Sequence, residues 1–102
     1  MYNINYKLLG LMYASKNIVL GQDNIVALAK QQKVKIVLLS NNASDRTKKL
    51  IIDKCTYNNI DYYILEDKDE IMSKELGKKS IKVVATNNRG FLKNILDSMK
   101  EL

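Results

Sequence analysis

The segment Val34-Lys35-Ile36-Val37-Leu38-Leu39-Ser40-Asn41-Asn42-Ala43-Ser44 carries the clearest structural signal in the chain. Its apolar run predicts a buried strand over residues 34–39, interrupted by a single charged side chain. The small polar residues that follow are typical of a loop and a helix N-cap. The segment therefore predicts a strand that passes directly into a helix, which is the repeating unit of α/β folds.

The residues that follow predict an amphipathic helix over 44–58. Its exposed side would carry Lys48, Lys49 and Asp53, which could contact phosphate or only water. Cys55 lies on the opposite face and is most simply a packed core thiol. That inner face is formed by Ala43, Thr47, Leu50, Ile51, Lys54 and Cys55.

Upstream, the apolar spacing predicts a helix over 3–14, a short strand over 18–20 that stops at Gly21, and a second helix of about ten residues. Downstream, a strand is predicted over 62–65. Asp67 and Glu70 then have the spacing of a capping box before a short helix that ends at Gly77. The last strand is predicted over 81–86, and a C-terminal helix follows. The apolar face of that helix would consist of Phe91, Leu92, Ile95, Leu96 and Met99.

The predicted order is α-β-α-β-α-β-α-β-α, which implies a sheet packed between helices. With 102 residues, no repeats, no proline and short connections, the chain is expected to form one domain over 1–102. Its longest apolar runs are far shorter than the ~20 residues of a membrane span, and its first residues do not form a signal-peptide pattern. With one cysteine, we expect a cytoplasmic protein without a disulfide.

The charge balance permits an anionic partner without requiring one. The net charge is +6, from 17 basic and 11 acidic residues. The distribution is uneven, because six acids lie between Asp61 and Glu75, whereas Asp23 is the only acid in the first 35 residues. The N-terminal half is therefore the better candidate for an anion-binding side.

The absent residue types argue against catalysis. The chain has no histidine, one cysteine and no tryptophan. It cannot form a Ser-His-Asp triad, a Cys/His pair or a Cys/His zinc site. No paired-carboxylate or nucleotide-binding motif is present, so we expect neither an enzyme nor a cofactor or metal site.

The stretch Lys16-Asn17-Ile18-Val19-Leu20-Gly21-Gln22-Asp23-Asn24 is the first candidate binding site. A lysine precedes a strand, the strand ends in glycine, and polar residues open a helix whose free amides suit a phosphate. Gly21 would let another backbone approach closely, while Gln22, Asp23 and Asn24 could contact base edges. The same pattern also fits a simple turn with Asp23 as a helix cap. A second candidate, Gly77-Lys78-Lys79-Ser80-Ile81, is either a basic contact loop or a solvated turn.

The sequence resembles the YlxQ-like bacterial members of the kink-turn RNA-binding ribosomal-protein family. The resemblance rests on a set of short motifs with matching separations. It is strongest in the 41–57 stretch and extends in both directions over nearly the whole chain. The motifs are Lys16 to Gly21, Lys35-Ile36-Val37, Ala43-Ser44, Thr47-Lys48-Lys49, Asp53-Lys54-Cys55, Leu76-Gly77-Lys78, Val83-Val84-Ala85 and Gly90-Phe91.

The resemblance implies a three-layer α-β-α sandwich around a mixed four-stranded sheet, with a kink-turn as the ligand. A kink-turn is a sharply bent RNA duplex with a short bulge and tandem sheared G·A pairs. Residues 21–24 would enter the groove at the G·A pairs, and residues 77–81 would cover the bulge bases. In archaeal relatives the pattern is usually Gly-x-Asn-Glu, with a lysine three residues after the glutamate. Asp23, Asn24 and Ala27 occupy these positions here, and Ser73 replaces a frequent glycine.

The leading hypothesis is a monomeric RNA-binding protein that stabilises kink-turns, with ribosomal RNA as one possible partner. The alternative is a protein-interaction module of the same fold that has lost tight kink-turn binding. Its partner-binding surface would then include the acidic 61–75 segment and the departures at Asp23, Asn24 and Ala27.

Overall fold

The computed structural model describes residues 1–102, which form a mixed sheet with helices on both faces. The helices are α1 (Lys7–Ala14), α2 (Gln22–Lys30), α3 (Asp45–Tyr57), α4 (Ile71–Leu76) and α5 (Arg89–Ser98), and the 3-10 helix Lys68–Glu70 precedes α4. None of them combines the length and the apolar character that crossing a membrane requires. The strands are β1 (Tyr2–Asn3), β2 (Val19–Leu20), β3 (Ile36–Ser40), β4 (Asp61–Leu65), β5 (Val83–Thr86) and β6 (Lys100–Glu101).

The strand order across the sheet is β2-β5-β3-β4-β1-β6. β3 runs parallel to β4 and antiparallel to β5, which confirms a mixed sheet. The prediction of four strands is wrong, because the sheet has six. The two additional strands, β1 and β6, pair with each other, and β1 also pairs with β4. Each is two residues long, too short to produce a readable alternation of apolar and polar residues.

The prediction of a helix from residue 3 is wrong for the same reason. Asn3 lies in β1, and the carbonyl of Tyr2 accepts a hydrogen bond from the Glu66 amide at 2.8 Å. These backbone groups therefore take part in long-range pairing, and α1 begins only at Lys7. At the other end of the chain, Met99 lies beyond α5 in extended conformation.

The sheet separates two clusters of buried side chains, because successive residues of a strand point to opposite faces. On one face, α1, α4 and α5 pack against Ile36, Leu38 and Val84. On the other face, α2 and α3 pack against Val37 and Leu39. Cys55 lies in this second cluster, as predicted. Leu96, expected on the apolar face of α5, is exposed.

The start of α4 differs from the predicted capping box. Glu70 has a left-handed backbone and makes no capping bond, while its carboxylate contacts Lys82 at 3.1 Å. Asp67 is fully buried, and its two carboxylate oxygens accept from the Met72 amide at 2.8 Å and the Ser40 hydroxyl at 2.7 Å. Asp67 therefore joins the end of β3 to the first turn of α4, a long-range role that sequence spacing does not reveal.

Three helices, α1, α2 and α3, are each followed, just after the C-cap, by a residue other than glycine in the left-handed conformation. Lys16, Gln32 and Asn59 have φ angles of 60°, 57° and 59°. Each is followed by an amide that bonds back across the last turn, for example Asn17 to the Met12 carbonyl at 2.7 Å. This bonding is the Schellman pattern, in which glycine is the usual residue at the left-handed position.

Candidate functional site

The junction between β2 and α2 is the centre of the candidate site. Gly21 forms it with φ 91° and ψ 136°, a backbone conformation that side chains disfavour strongly. A Cβ atom there would come no closer than 3.8 Å to its nearest neighbour, Asn24 Nδ2. The backbone path, rather than lack of space, therefore requires glycine at this position.

The first turn of α2 carries three polar side chains, of which Gln22 is half-buried and Asp23 and Asn24 are exposed. The first backbone bond of the helix runs from the Ile25 amide to the Gly21 carbonyl at 3.1 Å, which leaves the preceding amides without helical partners. Asp23 is exposed and does not cap the helix, since Gly21 is the N-cap and no side chain bonds to it. The Asn24 amide donates to the Leu20 carbonyl at 3.1 Å, so its oxygen remains the group available to a ligand.

The two segments singled out from the sequence meet at a cavity of about 200 Å³. Because β2 pairs antiparallel with β5, the residue after β2 lies beside the residues that precede β5. Residues 21–24 and 77–81 together are called the α2–loop surface below. The cavity is lined by Gly21, Gln22, Thr47, Ser80, Ile81, Lys82 and Val83.

Thr47 of α3 orients the side chain of Gln22. The Thr47 hydroxyl donates to Gln22 Oε1 at 2.8 Å and accepts from the Ser44 hydroxyl at 3.1 Å. With its oxygen held in this way, Gln22 has its amide nitrogen free to donate. The inward position of Thr47 on α3 was predicted, but its contact with α2 was not, because packing of two helices brings these residues together.

A second group of charged side chains, two cations and one carboxylate, continues from Gln22 along α3. A second cavity of about 370 Å³ is lined by Gln22, Arg46, Lys49, Leu50 and Asp53. Neither Arg46 nor Lys49 belongs to the two ion pairs of the chain, which are Lys82–Glu70 and Lys93–Asp97. The sequence indicated an exposed face on α3 but not its position beside the α2–loop surface.

The loop before β5 is held in place by a buried hydroxyl. Ser73, which is 4% exposed, accepts from the Ile81 amide at 2.8 Å and donates to the Ile81 carbonyl at 3.4 Å. Ile81 therefore lies in the loop, and the strand begins at Val83 rather than at the predicted residue 81. At the start of the loop, Gly77 ends α4 with φ 64°, and Ser80 has φ 59°. Ser73, which stands where the family often has glycine, thus anchors the loop.

The candidate lysines have different surroundings. Lys78 Nζ lies 5.1 Å from the centre of the Tyr13 ring, within reach of a cation–π interaction. Lys79 is exposed. Lys16 is not brought to the cavity: the adjacent residue, Asn17, accepts a hydrogen bond from the Thr86 hydroxyl at 2.6 Å, at the opposite end of β5. The structure therefore unites Gly21 and Gln22 with Ser80 and Ile81 but leaves Lys16 separate.

Comparison with known proteins identifies the family. Residues 4–95 match the model of the ribosomal protein L7Ae/L30e/S12e/Gadd45 family. The chain belongs to this family. This L7Ae-family protein is 31% identical over 91 residues to the RNA-binding protein YlxQ of Bacillus subtilis (strain 168), covering 89% of this chain and 90% of that protein. It is 33% identical over 86 residues to the RNA-binding protein YlxQ of Enterococcus faecium, covering 84% and 82%. The predicted resemblance is therefore confirmed.

Solved structures give the L7Ae-family chain the same fold. A Bacillus halodurans protein described as having unknown function matches with a TM-score of 0.82 and 25% identity, covering 90% of this chain and 92% of that one. The Giardia lamblia 15.5kD RNA binding protein matches with a TM-score of 0.71 and 13% identity, covering 90% and 78%. At 13% identity, the second likeness concerns the fold alone.

Two side chains have pKa values raised by their surroundings, and neither lines the cavity at Gly21. Burial raises the pKa of the Cys55 thiol to about 11. Burial, together with the nearby Asp67 and Glu66 carboxylates, raises the pKa of Tyr6 to about 12. The Tyr6 hydroxyl donates to the Glu66 carbonyl at 2.6 Å. Both groups therefore stay protonated at neutral pH. No cluster of three His, Cys, Asp or Glu side chains is placed to hold a metal ion.

Proposed function

We propose that this protein binds structured RNA through the α2–loop surface. The cavity that joins Gly21 and Gln22 to Ser80 and Ile81 carries this proposal, because it unites two polar segments that are far apart in the sequence. The names of its relatives support an RNA ligand, since the two YlxQ proteins are described as RNA-binding. The lone buried cysteine is compatible with action in the reducing cytoplasm.

The preferred ligand that we propose is a kink-turn, whose bent form the protein stabilises. A regular RNA duplex hides its base edges in a deep, narrow groove, so side chains read distorted sites more easily. Gln22 offers an amide donor, while Asp23 and the Asn24 oxygen offer acceptors for base amino groups. A surface that fits only the bent RNA shifts its equilibrium toward that form. Ribosomal RNA is one source of such motifs.

The phosphates of this RNA would be held by cations on both sides of the α2 start. Arg46 and Lys49 lie on one side, where they share a cavity with Gln22. Lys78 and Lys79 lie in the loop on the other side. Together these four residues supply positive charge in place of the lysine that archaeal relatives usually have at the position of Ala27. Phosphate contacts of this kind position an RNA without reading its sequence.

The first experiment compares a standard kink-turn with an unbent duplex of equal length by electrophoretic mobility shift at physiological salt. We expect the kink-turn to bind with clearly higher affinity, because only the bent RNA presents base edges to the α2 start. Equal, weak binding of both RNAs would contradict kink-turn recognition.

The second experiment tests the surface itself. Lys78→Gln combined with Lys79→Gln should weaken kink-turn binding and reduce the slope of log affinity against log salt by about two, one for each lost phosphate contact. The matched control is Lys33→Gln with Lys35→Gln, since these exposed lysines precede β3 at the opposite end of the sheet. Equal effects of the two pairs would indicate non-specific attraction only.

A third variant addresses the backbone at the junction. Gly21→Val introduces a β-branched residue where φ is 91° and should abolish specific binding by displacing the first turn of α2. Thermal unfolding of the variant separates a displaced junction from a protein that no longer folds. Full kink-turn affinity in Gly21→Val would show that this junction does not contact the RNA.

A second candidate function is binding to a protein partner. The exposed carboxylate of Asp23, which belongs to the α2–loop surface, favours it, because this charge repels phosphate. The two functions differ in what purifies with the protein. An RNA-binding protein raises the 260/280 nm absorbance ratio, and RNase treatment lowers that ratio again. A ratio typical of protein alone, together with a co-purifying polypeptide, would favour the second function.

A further inference from the structure

An apolar groove lies beside the α2–loop surface and has no role in the recognition described above. Its volume is about 490 Å³, and it runs between the end of α1, the edge strand β2 and the outer side of α2. Six of its seven lining residues are hydrophobic. The lining residues are Tyr13, Ile18, Val19, Leu20, Asn24, Ala27 and Leu28.

None of the side chains that line this groove fills it. Ala27 contributes only a methyl group, and the Asn24 amide is turned onto the Leu20 carbonyl at 3.1 Å. Tyr13 is 42% exposed, so a large aromatic surface borders the groove. Open apolar surface next to a ligand site is typical of a site that receives part of that ligand.

The charges around the groove indicate which part of the ligand it receives. None of the lining residues is acidic, and Lys78 Nζ lies 5.1 Å from the centre of the Tyr13 ring. Lys78 belongs to the loop of the α2–loop surface, and Asn24 belongs to both the groove and that surface. The groove therefore adjoins the proposed RNA site, with an aromatic ring in its lining and a cation next to that ring.

We propose that this groove receives an unpaired nucleobase of the bound RNA, stacked against Tyr13 with its phosphate held by Lys78. This inference rests on the proposed RNA binding. A nucleotide matches both parts of the site, because its base has an apolar face and its phosphate carries the opposite charge to Lys78. An apolar peptide would use the groove without using the lysine.

The test uses the full chain and a kink-turn RNA in which one unpaired nucleotide at a time is replaced by 2-aminopurine. Stacking on Tyr13 should quench the fluorescence at one position in the wild type and in Tyr13→Phe, but not in Tyr13→Ala. Replacing that nucleotide by an abasic one, which keeps the phosphate, should weaken wild-type binding about tenfold, the value of one stacked base. The same RNA change should have no effect on Tyr13→Ala.

A second variant keeps the test valid if Tyr13→Ala does not fold. Ala27 is exposed on α2, so Ala27→Met should fold normally and fill the groove. We expect it to lose the fluorescence quenching and the dependence on the base. Retained quenching in Ala27→Met would overturn the inference.

Other outcomes also have defined meanings. If the RNA binds but no unpaired position is quenched, the inference fails while the proposed function stands. If Tyr13→Ala weakens binding to intact and abasic RNA equally, Tyr13 only positions Lys78, and the inference fails. If the chain forms a dimer in sedimentation experiments that Ala27→Met disperses, the groove holds a second copy, which again overturns it. If no structured RNA binds, the inference and the proposed function fail together.

Discussion

Replacing Lys16 by glycine should raise the stability of the protein, although it removes a side chain. Lys16 lies two residues after the end of α1 with φ 60°, and its amide donates to the Tyr13 carbonyl at 3.1 Å. The next amide, that of Asn17, donates to the Met12 carbonyl at 2.7 Å. The lysine side chain is exposed and forms no ion pair. Glycine can make the same two backbone bonds without the steric cost of a Cβ atom.

The size of the effect follows from two opposing terms. A left-handed backbone costs a residue with a side chain about 1–2 kcal/mol. Glycine loses more conformational entropy on folding, which returns about 0.5–1 kcal/mol of that difference. The free energy of unfolding should therefore rise by about 0.5–1 kcal/mol in Lys16→Gly. For a domain of this size, such a gain corresponds to a rise in Tm of about 2–8 °C.

Thermal and urea unfolding followed by circular dichroism measure this gain. Asn59→Gly is the matched control at the end of α3, where φ is 59°. It should give a smaller gain, because asparagine tolerates the left-handed conformation better than lysine does. Lys16→Gln removes the charge but keeps the Cβ atom, and it should leave stability nearly unchanged. A loss of stability in Lys16→Gly would refute the reasoning.

The same variant separates stability from RNA binding. If Lys16 contacts a phosphate, as its place before β2 suggested, Lys16→Gly and Lys16→Gln should both weaken kink-turn binding. Each should also reduce the slope of log affinity against log salt by about one. Unchanged affinity and slope would show that Lys16, which lies away from the cavity at Gly21, is not part of the interface.

Three further predictions concern buried groups. Asp67→Ala should lower the free energy of unfolding by about 2–4 kcal/mol, because the Ser40 hydroxyl and the Met72 amide lose a buried charged acceptor. Urea unfolding measures this loss, and a loss below about 1 kcal/mol would contradict the prediction. Ser73→Ala removes the hydroxyl that holds the loop before β5. We therefore expect faster hydrogen exchange of the Ile81 amide, which donates to that hydroxyl. Unchanged protection of this amide would exclude the anchoring role of Ser73. The folded state raises the pKa of Cys55 from 9.0 to about 11, so the stability it contributes is complete below pH 9 and is lost as pH rises toward 11. The free energy of unfolding should therefore fall more steeply between pH 9 and about 11 in the wild type than in Cys55→Ala. Parallel curves of this free energy against pH would refute the prediction.

The sequence located most of the candidate site but not all of its neighbours. Gly21 and the polar residues after it were recognisable because a strand, a glycine and a helix start are local features. Thr47 and Arg46 were not recognisable as part of the site, since only the packing of α3 beside α2 brings them to Gln22. The same holds for Tyr13, whose position beside Lys78 depends on where α1 lies relative to the loop.

The alternation of helices and strands, the buried strand after Val34 and the absence of histidine could all be determined from the sequence by itself. These properties follow from local periodicity and residue type, which a linear chain displays directly. Only the tertiary structure decided that residues 2–3 and 100–101 form strands, because two-residue strands exist through their partners alone. Only the tertiary structure placed Lys16 in a left-handed turn and Asp67 under α4. The short strands and the position of Asp67 depend on hydrogen bonds between distant residues. The turn at Lys16 is closed by local bonds, but no glycine marks it in the sequence.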